Sequence, residues 1–153
     1  MSNGVRMKEN HPRSLGRSIG ALIAGFLAVI ILSLGTDIAL HAIGVAPPLG
    51  ERMSDALLLL AVVYRTLYGV AGSYITARLA PDRPMQHALL GCGIGLVLSI
   101  VVGVATWNRV PSLGPHWYPL ALIATALPSA WVGGKLRLMQ LPVSPAAGAS
   151  EPA

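Results

Sequence analysis

The sequence predicts an all-α membrane protein, folded as a four-span transmembrane helical bundle. Hydrophobic residues make up 54% of the chain and charged residues only 11%, less than half of the roughly 25% that soluble folds carry. The mean hydropathy is accordingly positive, at +0.64. The apolar residues also fall into separate stretches, each as long as the roughly 20 residues that cross a bilayer as a helix. A length of 153 residues fits one such domain.

The predicted spans lie within one transmembrane domain, residues 18–138. Their approximate limits are 18–44, 55–79, 85–107 and 117–138. Long runs without strict alternation favour helices over strands, since membrane strands would need a closed barrel of at least about eight strands. The breaks contain prolines, which remove backbone donors and stop a helix: Pro47 with Pro48, Pro81 with Pro84, and Pro111 with Pro115. Such short breaks predict that consecutive spans are antiparallel neighbours.

The distribution of charge predicts that both ends of the chain are cytoplasmic. Most Lys and Arg residues lie in segment 1–17, in the second loop and at the end of the fourth span, whereas the other side has only Arg52 and Arg109. Because cytoplasmic flanks retain positive charge, we expect a multi-pass protein of the bacterial inner membrane. The tails, 1–17 and 139–153, have the composition of disordered segments. Orientation accounts for the basic tail, so no nucleic-acid partner is predicted.

A cleaved signal peptide is the alternative interpretation of the first span. Arg13 and Arg17 precede its apolar run, and Ala42 and Gly44 are small enough for a cleavage site. The uncharged run 19–34 is longer than the roughly 7 to 15 residues of a signal core. We therefore expect the first span to be retained.

A faint internal repeat suggests two tandem helix hairpins. Tyr74 precedes Arg78 by the same spacing with which Trp131 precedes Lys135, and the first and third spans can be aligned on Gly25 and Gly91. Such a duplication is typical of parallel-repeat membrane folds. The alternative is that an interfacial ring followed by a cation marks any helix that ends at the cytoplasmic side.

Small residues recur every four positions along the predicted spans. The third span shows the clearest stripe, formed by Gly91, Gly95, Ser99 and Gly103. Lipid offers no hydrophobic driving force between helices, so close backbone approach at small residues supports their association. The stripe favours packing within the bundle, and homo-oligomerisation through such a stripe is the alternative.

Charged residues inside the spans form the main candidate site. Arg65 lies ~15 Å below the outer end of the second span and Asp37 lies ~10 Å below the outer end of the first. Helical side chains lean toward the helix N-terminus, so in antiparallel spans these two side chains point toward each other. His41 follows Asp37 by four residues and shares its face, and Tyr68 lies near the face of Arg65. A structural ion pair is the favoured interpretation of this cluster. A protonatable or anion-binding site and a wet outer interface are the alternatives.

Other candidate chemistry is sparse in the sequence. The histidines lack metal-ligand spacing, so no metal is predicted, and no cofactor motif is present because the glycine run around Cys92 lies within a membrane span. A single cysteine cannot form an intramolecular disulfide. An enzyme acting on lipid or quinone would need acid–base groups near one interface, and Asp82, Arg83 and His87 are the candidates there. Three polar residues in a tight turn are normally only solvated, so an enzyme is not predicted.

Three segments carry a family resemblance: LGTDIALHAIGVAPP, YRTLYGVAGSYITARLAPDRP and ALPSAWVGGKLR. They resemble those of small bacterial four-helix integral membrane proteins that have no assigned activity, over residues 16–137. The resemblance implies an inner-membrane bundle and no catalytic residue. In size the chain is also similar to small multidrug resistance transporters, but these have an acidic residue in the middle of the first span, where residues 19–34 are uncharged.

These patterns together predict a structural or accessory component of the membrane, with the lipid bilayer as its first partner. We expect that such a small bundle can form homo-oligomers, and the sequence identifies no partner protein. The alternative function is a small oligomeric transporter or channel, with a polar site at Asp37, His41 and Arg65.

Overall fold

A computed structural model describes residues 12–48, 51–107 and 115–141. In these ranges the chain forms helices and no strand, which confirms the predicted all-α class. The helices are α1 (Pro12–Ala42), α2 (Asp55–Leu79), α3 (Pro84–Thr106) and α4 (Trp117–Met139). Each helix coincides with one predicted apolar stretch. Much of the two tails predicted to be disordered, residues 1–11 and 142–153, and the predicted break at Pro111 lie outside the described residues.

The helix ends follow local sequence signals. Helix α1 begins at Pro12, within the segment assigned to the basic tail, and it ends before Gly44, which adopts a left-handed φ of 73°. Helix α2 is capped by Ser54, whose hydroxyl accepts from the Leu57 amide at 3.4 Å. Helix α3 begins at Pro84, because proline lacks the N–H that the first helical position leaves unbonded.

Three of the helices are long and apolar enough to cross a membrane: Leu15–Ala42, Asp55–Leu79 and Pro84–Ala105. Helix α4 is as long as α3, with 23 residues each, but it is not among these three. Polar and proline residues such as Pro119, Thr125, Pro128 and Ser129 make it less apolar.

Around the bundle the helices follow the order α1, α2, α4, α3, and α2 contacts all three others. The most extensive contact joins α2 to α4. Gly69 lies beside Ser129 and Ser73 beside Gly133, so the two helices run parallel. The expectation that consecutive spans are neighbours therefore holds for all three consecutive pairs, and it does not include α4, the main partner of α2.

The arrangement does not have the two-fold symmetry that tandem hairpins would have. Such an axis would make the contact of α2 with α3 equivalent to a contact of α4 with α1. In the structure α2 packs against α3, whereas α1 and α4 have at most a marginal contact. Leu22 and Phe26 of α1 lie beside Gly91 and Gly95 of α3, which places these two helices side by side and parallel.

Two contacts bring helix backbones close together. A Cβ added at Gly72 would lie 2.9 Å from the carbonyl oxygen of Gly25, and one added at Gly25 would lie 2.7 Å from the carbonyl oxygen of Gly72. On the other side of α2, a Cβ at Gly133 would lie 2.5 Å from the carbonyl oxygen of Val70. Glycine is required at these positions because even a methyl group would displace backbone.

Candidate functional site

The candidate site is a polar cluster between α1 and α2, centred on Asp37 and Arg65. Arg65 Nη2 donates to Asp37 Oδ2 at 2.7 Å. Asp37 and Arg65 lie at the same depth in the bundle because α1 and α2 are antiparallel. The contact of Gly25 with Gly72, nearer the other end of these two helices, shows the same orientation. This is the only ion pair within the described ranges. The two charges that the sequence placed face to face are thus in direct contact.

Tyr64 completes the binding of the carboxylate. Its hydroxyl donates to Asp37 Oδ1, so each carboxylate oxygen accepts a hydrogen bond. The Tyr64 side chain is buried. The helical spacing predicted that Tyr68, and not Tyr64, would lie near the face of Arg65. A residue adjacent to Arg65 points about 100° away from it around the helix, and that direction lets the long Tyr64 side chain reach the carboxylate from its other edge.

Tyr68 lies next to the ion pair but binds a different group. Its hydroxyl lies 2.8 Å from Thr36 Oγ1. The rings of Tyr64 and Tyr68 are stacked at a tilt, with their centroids 5.7 Å apart. A second polar link between α1 and α2 therefore accompanies the charged one.

His41 lies on the same side of α1 as Asp37, and its described hydrogen bond is to the backbone. Its Nδ1 is 2.7 Å from the carbonyl oxygen of Asp37, one turn earlier. This bond ties the imidazole to the last turn of α1. Among the three residues of the predicted site, Asp37 and Arg65 bind each other, and His41 caps the helix beside them.

The ion pair is not sealed from its surroundings. The side chain of Asp37 is 30% exposed and that of Arg65 is 35% exposed. Within the guanidinium, Nε is buried and has no hydrogen-bond partner among the described residues. The pair therefore forms part of a surface that other groups can approach.

Arg65 also lines a cavity of about 400 Å³ between the four helices. Much of the wall is formed by small residues, among them Gly25, Gly69, Gly72, Gly91, Gly95, Ser33 and Ser99. The cavity reaches from the Gly25–Gly72 contact to the ion pair, since residues at both levels line it. Small residues therefore have two effects here: they leave space between the four helices, and at Gly25 and Gly72 they let the backbones of α1 and α2 approach.

The predicted stripe of α3 contributes to this cavity more than to close helix packing. Gly91 and Gly95 would place a Cβ 3.3 Å from Leu22 Cδ2 and 3.4 Å from Phe26 Cε1, both side-chain atoms. Ser99 lines the cavity and Gly103 lies further along α3. The reason is geometric: no glycine of a neighbouring helix faces the stripe, so large side chains of α1 keep the two backbones apart. The closest contacts instead involve Gly72 and Gly133, which the four-residue spacing did not include.

Several hydroxyl groups in the cavity wall bind the backbone of their own helix. Thr66 Oγ1 donates to the carbonyl of Val62 at 2.6 Å, and Ser129 Oγ donates to that of Thr125 at 2.6 Å. Such bonds satisfy a polar group within an apolar span. The guanidinium of Arg65 is therefore the strongest donor that the lining offers.

The polar residues of the second loop do not converge on one point. His87 Nε2 lies 2.9 Å from Ser18 Oγ of α1, while Asp82 and Arg83 are exposed. In the described ranges no group of three His, Cys, Asp or Glu residues could hold a metal ion.

No protein-family model, no curated protein and no solved structure matches this chain. The resemblance to small bacterial four-helix membrane proteins stays a prediction, and function has to be argued from the geometry of the polar cluster and the cavity.

Proposed function

We propose that the chain is an integral protein of the bacterial inner membrane that spans it four times, with both termini in the cytoplasm. In this proposal it is a structural or accessory component of the membrane and has no enzymatic activity. The exposed apolar side chains support insertion: Ile31, Ile38 and Val104 are each more than half exposed, and lipid is the solvent that such a surface requires.

The observation that carries the proposal is the bonding of Asp37. Both carboxylate oxygens are bonded within the bundle, one by a guanidinium and one by a phenol. A charge in hydrocarbon costs roughly 2.5 to 3.5 kcal/mol on insertion scales, and pairing offsets that cost only if α1 and α2 meet in this register. The pair thus specifies which helices associate, which is a structural role.

A double-mutant cycle tests this role. Asp37→Asn and Arg65→Gln are each expected to destabilise the solubilised protein, because each leaves one polar partner unbonded. The double variant is expected to lose less than the sum, with a coupling free energy above about 1 kcal/mol. Reversible unfolding in mixed micelles measures all four proteins.

A matched control uses the same two types of substitution at distant sites. Asp55 begins α2 and Arg83 directly precedes α3, so the substitutions Asp55→Asn and Arg83→Gln lie at opposite ends of the bundle, and both residues are exposed. Their coupling is expected to stay within about 0.5 kcal/mol. Equal coupling in the two cycles would contradict a specific ion pair.

The cavity favours a second candidate function, a small oligomeric transporter or channel. Its volume of about 400 Å³ lies within the roughly 300–1,000 Å³ of sites that bind small molecules. Arg65 lines this cavity and is paired with Asp37, so its guanidinium would contact a passing anion or proton carrier. Near-zero coupling in the cycle, together with proton or chloride flux into proteoliposomes that Arg65→Gln abolishes, would select this function over the structural one.

A further inference from the structure

A second polar cluster lies at the opposite end of the bundle, where α2 and α4 end. We call it the arginine cluster: Tyr74, Arg78, Arg137 and Gln140. Arg78 Nη1 donates to the Tyr74 hydroxyl at 3.1 Å, and that hydroxyl donates to Gln140 Oε1 at 2.8 Å. These bonds join side chains of two helices whose last turns lie side by side because α2 and α4 are parallel.

Arg137 lies at the same end of the bundle, on α4. The contacts of Gly69 with Ser129 and of Ser73 with Gly133 set the register, and in that register Arg137 is level with the last turn of α2. Arg137 Nε is buried and has no hydrogen-bond partner among the described residues.

Among the described residues, the arginine cluster has no carboxylate to balance it. Neither Arg78 nor Arg137 has a carboxylate oxygen within 4.0 Å in the described part of the chain. Asp37, Glu51 and Asp55 lie toward the other end of the bundle, and Asp82 lies in the exposed loop after α2. Two guanidinium groups at the ends of neighbouring helices repel each other, and an anion bound between them would offset that repulsion.

The depth of the cluster suits a lipid phosphate. At ~15 Å below the outer end of its span, Arg65 is predicted to lie near the midplane of the membrane, and Arg78 lies ~20 Å farther along α2 at 1.5 Å per residue. Because the hydrocarbon core extends only ~15 Å on each side of the midplane, Arg78 is expected at the level of the headgroups. Lys135 Nζ lies 4.5 Å from the centre of the Trp131 ring on the same end of α4. An aromatic ring beside a cation is typical of the interface between hydrocarbon and headgroups.

We propose that the arginine cluster binds the phosphate of an anionic phospholipid, with Arg78 and Arg137 as donors and Tyr74 holding Arg78 in place. Arginine binds phosphate oxygens through paired N–H groups, which favours a specific site over general attraction. The inference rests on the proposed insertion into the membrane and does not depend on the role of the Asp37–Arg65 pair.

The experiment measures lipid binding to the full chain in neutral detergent, by native mass spectrometry or by thermal stabilisation. The probes are dioctanoyl phosphatidylglycerol, dioctanoyl phosphatidylcholine and inorganic phosphate. The double variant Arg78→Gln/Arg137→Gln is compared with Arg17→Gln/Arg83→Gln, which removes the same charge at the same end of the bundle. Far-UV circular dichroism and gel filtration establish that each variant is folded.

The unmodified protein is expected to prefer phosphatidylglycerol to phosphatidylcholine. Loss of Arg78 and Arg137 is expected to weaken phosphatidylglycerol binding by about 100-fold, as for two charge-assisted hydrogen bonds. The control pair is expected to weaken it by about fivefold or less, as for general surface attraction. Tyr74→Phe keeps every charge and is expected to weaken binding about fivefold through loss of one hydrogen bond.

Equal losses in the two double variants, or equal binding of the two lipids, would overturn the lipid site. Inorganic phosphate that binds as well as the lipid, and is lost with the same arginines, would assign the site to a free anion instead. A chain that stays in solution without detergent would refute the membrane proposal itself, so the two failures are distinguishable.

Discussion

At the scale of single residues, the carboxylate of Asp37 accepts hydrogen bonds from two donors that differ in charge. The guanidinium of Arg65 supplies a charged donor and Tyr64 a neutral one. Polar bonds between membrane helices average only about 0.6 kcal/mol, with a maximum near 1.7. A bond to a charged acceptor belongs at the upper end of that range, because charge-assisted bonds are roughly twice as strong as neutral ones.

Tyr64 and Tyr68 allow this difference to be measured with identical substitutions. Tyr64→Phe removes a bond to a carboxylate, whereas Tyr68→Phe removes a bond to the hydroxyl of Thr36. We expect Tyr64→Phe to lower the free energy of unfolding by about 1.5 kcal/mol and Tyr68→Phe by about 0.5 kcal/mol. Unfolding in mixed micelles gives both values, and an equal or reversed order would contradict the assignment of Tyr64 to the carboxylate.

At the scale of helices, α2 is held on two sides by backbone contacts at glycine. It meets α1 at Gly25 and Gly72, and it meets α4 at Gly133. A helix packed in this way on both sides cannot shift without breaking one contact. The polar cluster is therefore positioned by packing as well as by its own hydrogen bonds.

Alanine substitution distinguishes glycines in close backbone contacts from glycines that are exposed on the outside of the bundle. Gly72→Ala would place a methyl group 2.9 Å from the carbonyl oxygen of Gly25, whereas a Cβ at Gly93 meets nothing within 4 Å. We expect Gly72→Ala to cost about 1–3 kcal/mol of unfolding free energy, as overpacking does. Gly93→Ala should be neutral or slightly stabilising, since alanine favours helix by up to about 1 kcal/mol. Comparable losses in both variants would refute the close α1–α2 contact.

The helices could be predicted from the sequence because each depends on local signals, such as the apolar run before Gly44 or the Pro84 that begins α3. The Asp37–Arg65 pair could also be anticipated, since two opposite charges at matching depth within apolar spans stabilise each other. The choice of Gly72 and Gly133 over the stripe of α3 could not be predicted. Which glycine meets a backbone depends on the rotation of each helix against its neighbours, and four-residue spacing in one helix does not specify that rotation.

At the scale of the whole molecule, α2 is the centre of the bundle and α3 is its most exposed helix. Helix α2 contacts every other helix. In α3, only 6% of the residues in its most apolar stretch are buried. In the order α1, α2, α4, α3, all four helices contribute to the wall of the open cavity beside Arg65. The order of helices around a bundle depends on pairings far apart in sequence, which explains why short loops alone did not predict the contact between α2 and α4.

The crossing of α4 decides the topology, because α4 is not among the three helices that are long and apolar enough to cross a membrane. Exposed residues at three turns can report it: Arg52 before α2, Arg83 before α3, and Gln140 after α4. In a Cys92→Ala background, we expect Arg52→Cys to react with an impermeant maleimide added to intact spheroplasts. Arg83→Cys and Gln140→Cys should react only after permeabilisation, because positive charge at their end retains them in the cytoplasm. Labelling of Gln140→Cys from outside, with Arg83→Cys still protected, would mean that α4 does not cross. That result would leave three spans, and it would move Arg137 away from the cytoplasmic lipids that the arginine cluster is proposed to bind.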